Sequence, residues 1–260
     1  MLTIARLTDR LRAPLQKVQR QQLAHLPFEL RLLTLQNAAA VLRLRNSVLA
    51  DLPDPDWYVR ETDEPAFVRK HLGGHSGSRG QTLGLYKGRQ LIAYAMLGLP
   101  RADDADNLGI PLGLDESARA RVAHLASCMV RTAYRGYRLQ RPLLAARMAL
   151  AQAYGRSIFT AMVSLRNQPS RRNMMHEGLH VAWVGEIQGL RRQILCGDIL
   201  QPWVVDQSRI QVVSSLDFER QQQLTRAGWC GVGFLVNQSP DALLFAPRVQ
   251  THDCAPVSPT

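Results

Sequence analysis

The sequence predicts an α/β protein, with helices alternating with strands around one mixed sheet. Three observations carry this reading. Period-two and helical-period apolar runs alternate between residues 29 and 200 in the order β-α-α-β-β-β-α-β-α-β-β. The run 122–130 (VAHLASCMV) is almost wholly apolar, as a strand buried on both faces should be. That run passes through a short Arg-Gly loop straight into the alanine-rich stretch 139–154, which has helical spacing.

Each element has its own signal. Residues 1–26 are arginine-rich and acid-poor with apolar residues at helical spacing, so 1–28 reads as a basic amphipathic extension. It suits a helix packed on its own protein, with a transit peptide or surface-binding helix as the other readings. Residues 29–35 alternate as a strand, and 37–49 carry i, i+3, i+4 apolar spacing. Pro53 and Pro55 break that helix, and a second one restarts over 62–72 with Thr62 as the expected N-cap and Pro65 in the first turn. Two strand-like runs, 81–86 and 91–99, flank the hairpin signal Lys87-Gly88-Arg89-Gln90. The segment 100–116 is acidic and loop-like. After the helix 139–154, which Gly155 can cap, come a strand at 157–164, a helix at 170–177 closed by Gly178, and a strand pair at 179–184 and 190–195. Residues 201–247 read as a small appendage with strands at RIQVVSS and GVGFLV and a helix over 216–227; 248–260 read as a disordered tail. No internal repeat is evident.

Composition narrows the function. There is no apolar run near the roughly 18 residues a membrane span needs, and no signal-peptide core, so a cytoplasmic protein is expected. Cys128, Cys196, Cys230 and Cys254 show no metal-ligand spacing and read as reduced thiols; no metal is expected. The net charge of +11 favours an anionic partner, and 29 of the 32 basic residues are arginine, the better fork for phosphate oxygens.

Chemistry concentrates between Val122 and Tyr154. A helix start leaves free N–H groups and a partial positive charge, so a loop delivering the chain there makes an anion site suited to a pyrophosphate. Gly136 allows close backbone approach, and Arg135, Arg138 and Arg141 surround the turn with charge. The run Val130-Arg131-Thr132-Ala133-Tyr134-Arg135-Gly136-Tyr137-Arg138-Leu139-Gln140 resembles the loop of the GNAT superfamily of acyl-CoA-dependent N-acyltransferases, approximately V-x-P-x-Y-R-G-x-G-L-G/Q. It matches at Val130, Tyr134, Arg135, Gly136, Leu139 and Gln140. Asn167, Ser170 and Gly178-Leu179 keep the spacing of the family's next element.

The resemblance covers roughly residues 29–198 and implies a GNAT-like domain over 29–200 with splayed central strands. Pantetheine would pair with the strand ending at Met129 and Val130. The loop from Arg135 through Gly136, Tyr137, Arg138, Leu139 and Gln140 to Arg141 would hold the pyrophosphate, and Asn167 would touch the pantetheine arm. The implied reaction moves an acyl group, acetyl in the first instance, from acetyl-CoA or another acyl-CoA to the amine of a small molecule or protein. Such a site must deprotonate an ammonium, stabilise an oxyanion and protonate a thiolate.

Three positions depart from the family pattern. Arg138 stands where a second glycine is usual, Met174 falls where a tyrosine often acts as acid, and the strand 122–130 has no carboxylate. That strand offers His124 as the candidate base, with Ser127 and Cys128 beside it, and His176 is a substitute acid. Arg171 and Arg172 are candidate contacts to a CoA phosphate, and the acidic loop 100–116 could draw in a cationic amine. Two other classes stay open: a fold that binds CoA or another anion without catalysis, and a binder of nucleic acid or an acidic surface, which lacks any recognisable base-reading motif.

Overall fold

The computed structural model describes residues 4–235 and 241–249, with side chains from residue 11 onward. The elements are α1 (Ile4–Gln22), β1 (Glu29–Leu33), α2 (Ala38–Ala50), α3 (Glu64–His71), β2 (Gly80–Lys87), β3 (Gln90–Gly98), α4 (Glu116–Ala120), β4 (Val122–Val130), α5 (Gln140–Ala153), β5 (Ile158–Ser164), α6 (Gln168–His176), β6 (His180–Ile187), β7 (Leu190–Asp198), β8 (Gln211–Ser214), α7 (Phe218–Arg226), β9 (Trp229–Leu235) and β10 (Ala242–Pro247). All strands join one mixed sheet in the order β1-β2-β3-β4-β5-β7-β6-β9-β10-β8. Among the described strands only β4 and β5 pair in parallel. Cys254 and most of the expected tail lie outside the described residues.

The helices divide between the two faces. α5 carries Leu143, Leu144, Leu150 and Ala151 into the larger core, where α1 adds Leu11, Leu15 and Val18. Burial of each of these leucines and of Val18 contributes about 1.5–3 kcal/mol as an upper figure. Gln19 fastens α1 to the next strand, donating to the Phe28 carbonyl and accepting from the Leu30 amide, both at 2.9 Å. The basic helix is therefore packed on its own protein. On the opposite face α2 and α3 place Val41, Leu44, Val48 and Val68 against Leu33, Tyr94, Met96 and Met129.

Small corrections have local causes. α3 is capped by Asp63, whose carboxylate accepts from the Ala66 amide at 2.8 Å, rather than by Thr62. The loop 100–116 leads into the short helix α4, capped by Asp115. β10 has no counterpart in the sequence reading; it lies between β8 and β9, and β9 pairs with β6 to join the appendage to the main sheet.

β4 is not regular. Ala95 stands opposite Cys128 and Leu97 opposite Leu125, so Ala126 and Ser127 together face the single residue Met96. This β-bulge turns Ser127 toward the α2 face.

The structure overturns the expectation of no internal repeat. The unit β8-α7-β9-β10 repeats the plan of β5-α6-β6-β7 at a spacing of 50 residues. Asn167 and Asp217 both cap a helix, accepting from the amides of Ser170 and Arg220 at 3.2 and 3.0 Å. Their own amides donate to Ser164 and Ser214 carbonyls, each at 3.1 Å. Gly178 and Gly228 end the helices at φ +86° and +79°. The sheet order β5-β7-β6-β9-β10-β8 is palindromic, and the pairing at its centre joins the equivalent residues Val181 and Gly231. A pseudo-two-fold axis therefore runs through the β6–β9 seam.

A buried polar cluster fixes the two units together. The Arg171 guanidinium donates to the Leu165 carbonyl at 2.8 Å and to Gln193 at 3.3 Å, and pairs with Asp241 at 3.4 Å. Asp241 also accepts from Arg172 and from the Ser215 hydroxyl, at 3.2 and 2.6 Å, and Gln193 donates to Gln221 at 2.5 Å.

Candidate active site

β4 and β5 stay paired only from Val122 to His124 opposite Ile158 to Thr160. Beyond that point β4 continues beside β3 to Val130 and β5 continues beside β7 to Ser164. The sheet splits open, leaving the rest of β4 with no strand on that side among the described residues. A cavity of about 520 Å3 opens at the split, lined by Cys128, Met129 and Val130 of β4, Tyr134 to Gly136 and Arg138 to Gln140 of the loop and the start of α5, Asn167 at the cap of α6 and Asn173 within it, and Trp57 and Tyr58 from the α2–α3 connection.

The loop bends through two left-handed residues, Gly136 at φ +87° and Arg138 at φ +55°. Arg138 thus takes the conformation that a glycine would take freely, at a cost of about 1–2 kcal/mol. The bend leaves the amides of Gly136, Tyr137, Arg138, Leu139 and Gln140 without a protein acceptor among the described residues. Five free donors thus stand at the start of a 14-residue helix, where free N–H groups and the helix dipole suit an anion. Arg135 and Arg138 are exposed and make no ion pair among the described residues, whereas Arg141 is held by Glu177 at 3.2 Å. Phe28 meets Tyr134 and Tyr137 edge-on at 6.0 and 6.5 Å, so both tyrosines pack at the loop's flank.

Two buried arginines frame the bulge from opposite faces. Arg147 of α5 donates to the carbonyls of Met96 and Ala126 at 3.3 and 3.2 Å, binding backbone that the bulge removes from the ladder. Arg45 of α2 is fully buried, forms an ion pair with Glu64, and donates from Nη1 to Tyr58 Oη at 2.9 Å, Ser127 Oγ at 3.1 Å and Tyr94 Oη at 3.3 Å. The Tyr94 and Ser127 hydroxyls are 2.9 Å apart. Burial pushes the phenols of Tyr58 and Tyr94 above their ordinary range, and the Arg45 charge pulls back against it. Sequence reasoning missed this group, which joins α2, β3, β4 and the α2–α3 connection.

The sequence-predicted residues separate in space. Met129, Val130, Arg135, Gly136, Arg138, Leu139, Gln140 and Asn167 line the cavity; Tyr137 and Arg141 flank it. Asn167 also caps α6, so its side-chain oxygen is already engaged. His124 sits at the closed end of the split, outside the lining. Its Nε2 accepts from the Leu108 amide at 3.1 Å, and burial holds the ring down to about 4, neutral with its lone pair occupied. The acidic loop lies at that same closed end, with Asp106 paired to Lys70 at 2.6 Å, so it does not border the cavity. Arg171 and Arg172 both pair with Asp241, and neither lines the cavity. Met174 is core, and His176 packs edge-on against Phe234 at 5.4 Å.

A second cavity of about 460 Å3, lined by Asp56, Leu165, Arg166, Glu186, Arg191 and Leu216 among others, lies across the segment 54–58 from the first. That segment straps the open ends of the split strands. Asp54 pairs with Arg166 at 3.2 Å, and Asp56 accepts from Ser164 at 2.7 Å and from the buried Arg192 at 3.0 Å.

Solved structures share this architecture. The yncA protein of Salmonella typhimurium, whose structure contains its cofactor acetyl-CoA, matches over 69% of this chain and 98% of its own, at 19% identity and a TM-score of 0.50. A GCN5-related N-acetyltransferase from Kribbella flavida matches over 66% and 98%, at 15% identity and a TM-score of 0.51. Arabidopsis thaliana NAA60 in complex with acetyl-CoA matches over 67% and 99%, at 12% identity and a TM-score of 0.51. The chain therefore has the fold of the GNAT acetyltransferases. No protein-family model matches it, and no curated protein does. Among the described residues no helix is long and apolar enough to cross a membrane.

Proposed function

We propose that this protein is an acyl-CoA-dependent N-acyltransferase that moves an acetyl group to an amine. One observation carries the reading: the split between β4 and β5 opens on a cavity whose mouth is the acceptor-free cradle of amides from Gly136 to Gln140. A diphosphate suits that cradle, with Arg135 and Arg138 adding charge. An extended pantetheine suits the free side of β4 at Met129 and Val130, where backbone groups can pair with it as with an added strand. An acyl-CoA co-substrate fits a cytoplasmic setting. His124 is left out of the proton path, because its acceptor nitrogen is occupied and it borders no part of the cavity.

The absence of any carboxylate from the cavity lining favours a second reading, a CoA-binding module without turnover. Calorimetric titration with acetyl-CoA, followed by CoA release assayed over a panel of amines, separates the two. Binding with turnover supports the enzyme, and binding without turnover supports the module. No heat and no thermal shift with acetyl-CoA or longer acyl-CoAs would overturn both.

A further inference from the structure

We infer that Tyr58 is the catalytic acid of this site, giving its phenolic proton to the departing CoA sulfur. The inference rests on the acyltransferase reading above and follows from where proton donors stand in the cavity. Collapse of the tetrahedral intermediate breaks the carbon–sulfur bond, and the thiolate formed must be protonated in a space that water enters poorly.

Among the residues lining the cavity only Cys128, Tyr58 and Tyr134 carry a dissociable proton at sulfur or oxygen. Tyr134 stands in the loop, with Lys87 over its ring and Phe28 at its edge, at the phosphate end. Cys128 packs with the α5-side core. Tyr58 stands at the bulge end. Its oxygen accepts from Arg45, which also holds Ser127 of the bulge, so both oxygens converge on one fully buried guanidinium. Arg45 only donates, so that bond leaves the phenolic proton in place beside the Ser127 hydroxyl, and the adjacent cation stabilises the phenolate left behind.

The step balances without a further reagent. The amine nitrogen bonds to the acyl carbon and releases a proton to solvent; the carbon–sulfur bond breaks, and sulfur takes the Tyr58 proton. Solvent returns a proton to the phenolate, giving free CoA and the amide. Arg45 and Ser127 act as positioning residues, since they reach the reacting atoms only through Tyr58.

The test is Tyr58→Phe in the full chain, assayed with acetyl-CoA and whichever panel amine the wild type acetylates. The expected result is an acetyl-CoA Kd within about twofold of wild type and a kcat lowered about 100-fold or more. An unchanged kcat overturns the assignment while leaving the acyltransferase reading intact. A wild type that binds acetyl-CoA but turns over no amine overturns the assignment and selects the non-catalytic module; one that binds none overturns the whole reading. Should Tyr58→Phe fail to fold, Tyr58→His decides: an imidazole acid must be protonated, and burial beside Arg45 depresses its pKa, so kcat should fall as pH rises along a limb lying below about 6.5. A profile without that limb overturns the assignment.

Discussion

Arg147 donates to the carbonyl of Ala126 at 3.2 Å and forms no ion pair among the described residues, although its side chain is buried. A buried guanidinium without a carboxylate is costly, and burial accordingly weakens its hold on its proton. What it gives in return is shape. The same nitrogen holds Met96 of β3, so one side chain fixes both strands at the bulge that borders the candidate site.

Replacing that side chain tests the arrangement. Arg147→Met leaves two buried carbonyls open while lifting the desolvation cost, and the open acceptors should dominate. A loss of about 1–3 kcal/mol is expected in urea unfolding, with weaker acetyl-CoA binding in calorimetry. Added stability would show that the charge is a liability carried for function alone.

Arg138→Gly should separate backbone from charge in the cradle. The glycine relieves the left-handed strain at φ +55° but loosens the unfolded chain, so stability should stay within about 1 kcal/mol of wild type. Affinity for acetyl-CoA should fall about three- to tenfold at low salt and converge on wild type at high salt, as lost screening-sensitive charge requires.

His124 should make the fold acid-sensitive. Its folded value is depressed to about 4 from an unfolded 6.5, so the unfolded chain binds the extra proton first. Stability on this account is complete above about pH 6.5 and falls as pH drops toward 4, by at most about 3 kcal/mol. His124→Gln should flatten that slope in urea melts at stepped pH. His71, also held low by burial, keeps the remainder.

Asp241→Ala strips Arg171, Arg172 and Ser215 of a common acceptor. A buried cation left alone predicts a loss of about 3–5 kcal/mol. Because the cluster joins both repeat units, thermal unfolding should remain one transition shifted downward; two separated transitions would show that the units are energetically independent.

These residues also mark what the sequence could reveal. β4, the loop and α5 were legible because a buried strand, a positive-φ glycine and an alanine-rich helix are each local signals in consecutive residues. The Arg45 hub was not, since its partners Tyr58, Tyr94 and Ser127 lie 13, 49 and 82 residues away. Neither was the bulge, because one extra residue looks the same on paper as unbroken apolar sequence. The repeat escaped for a different reason. Apart from Ser164 and Ser214 before the helices and Gly178 and Gly228 after them, these equivalent positions share a role and not a residue type: Asn167 and Asp217 cap, Met174 and Leu224 fill, Arg171 and Gln221 bond within the core.

The seam at Val181 and Gly231 bears on how the molecule responds to dilution. A sheet edge covered by a separate chain is covered only as far as mass action allows, and its melting point moves with concentration. Here the cover for β6 is tethered to it by the same polypeptide, at an effective concentration fixed by the connection rather than by the solution. The edge remains closed however thinly the protein is spread.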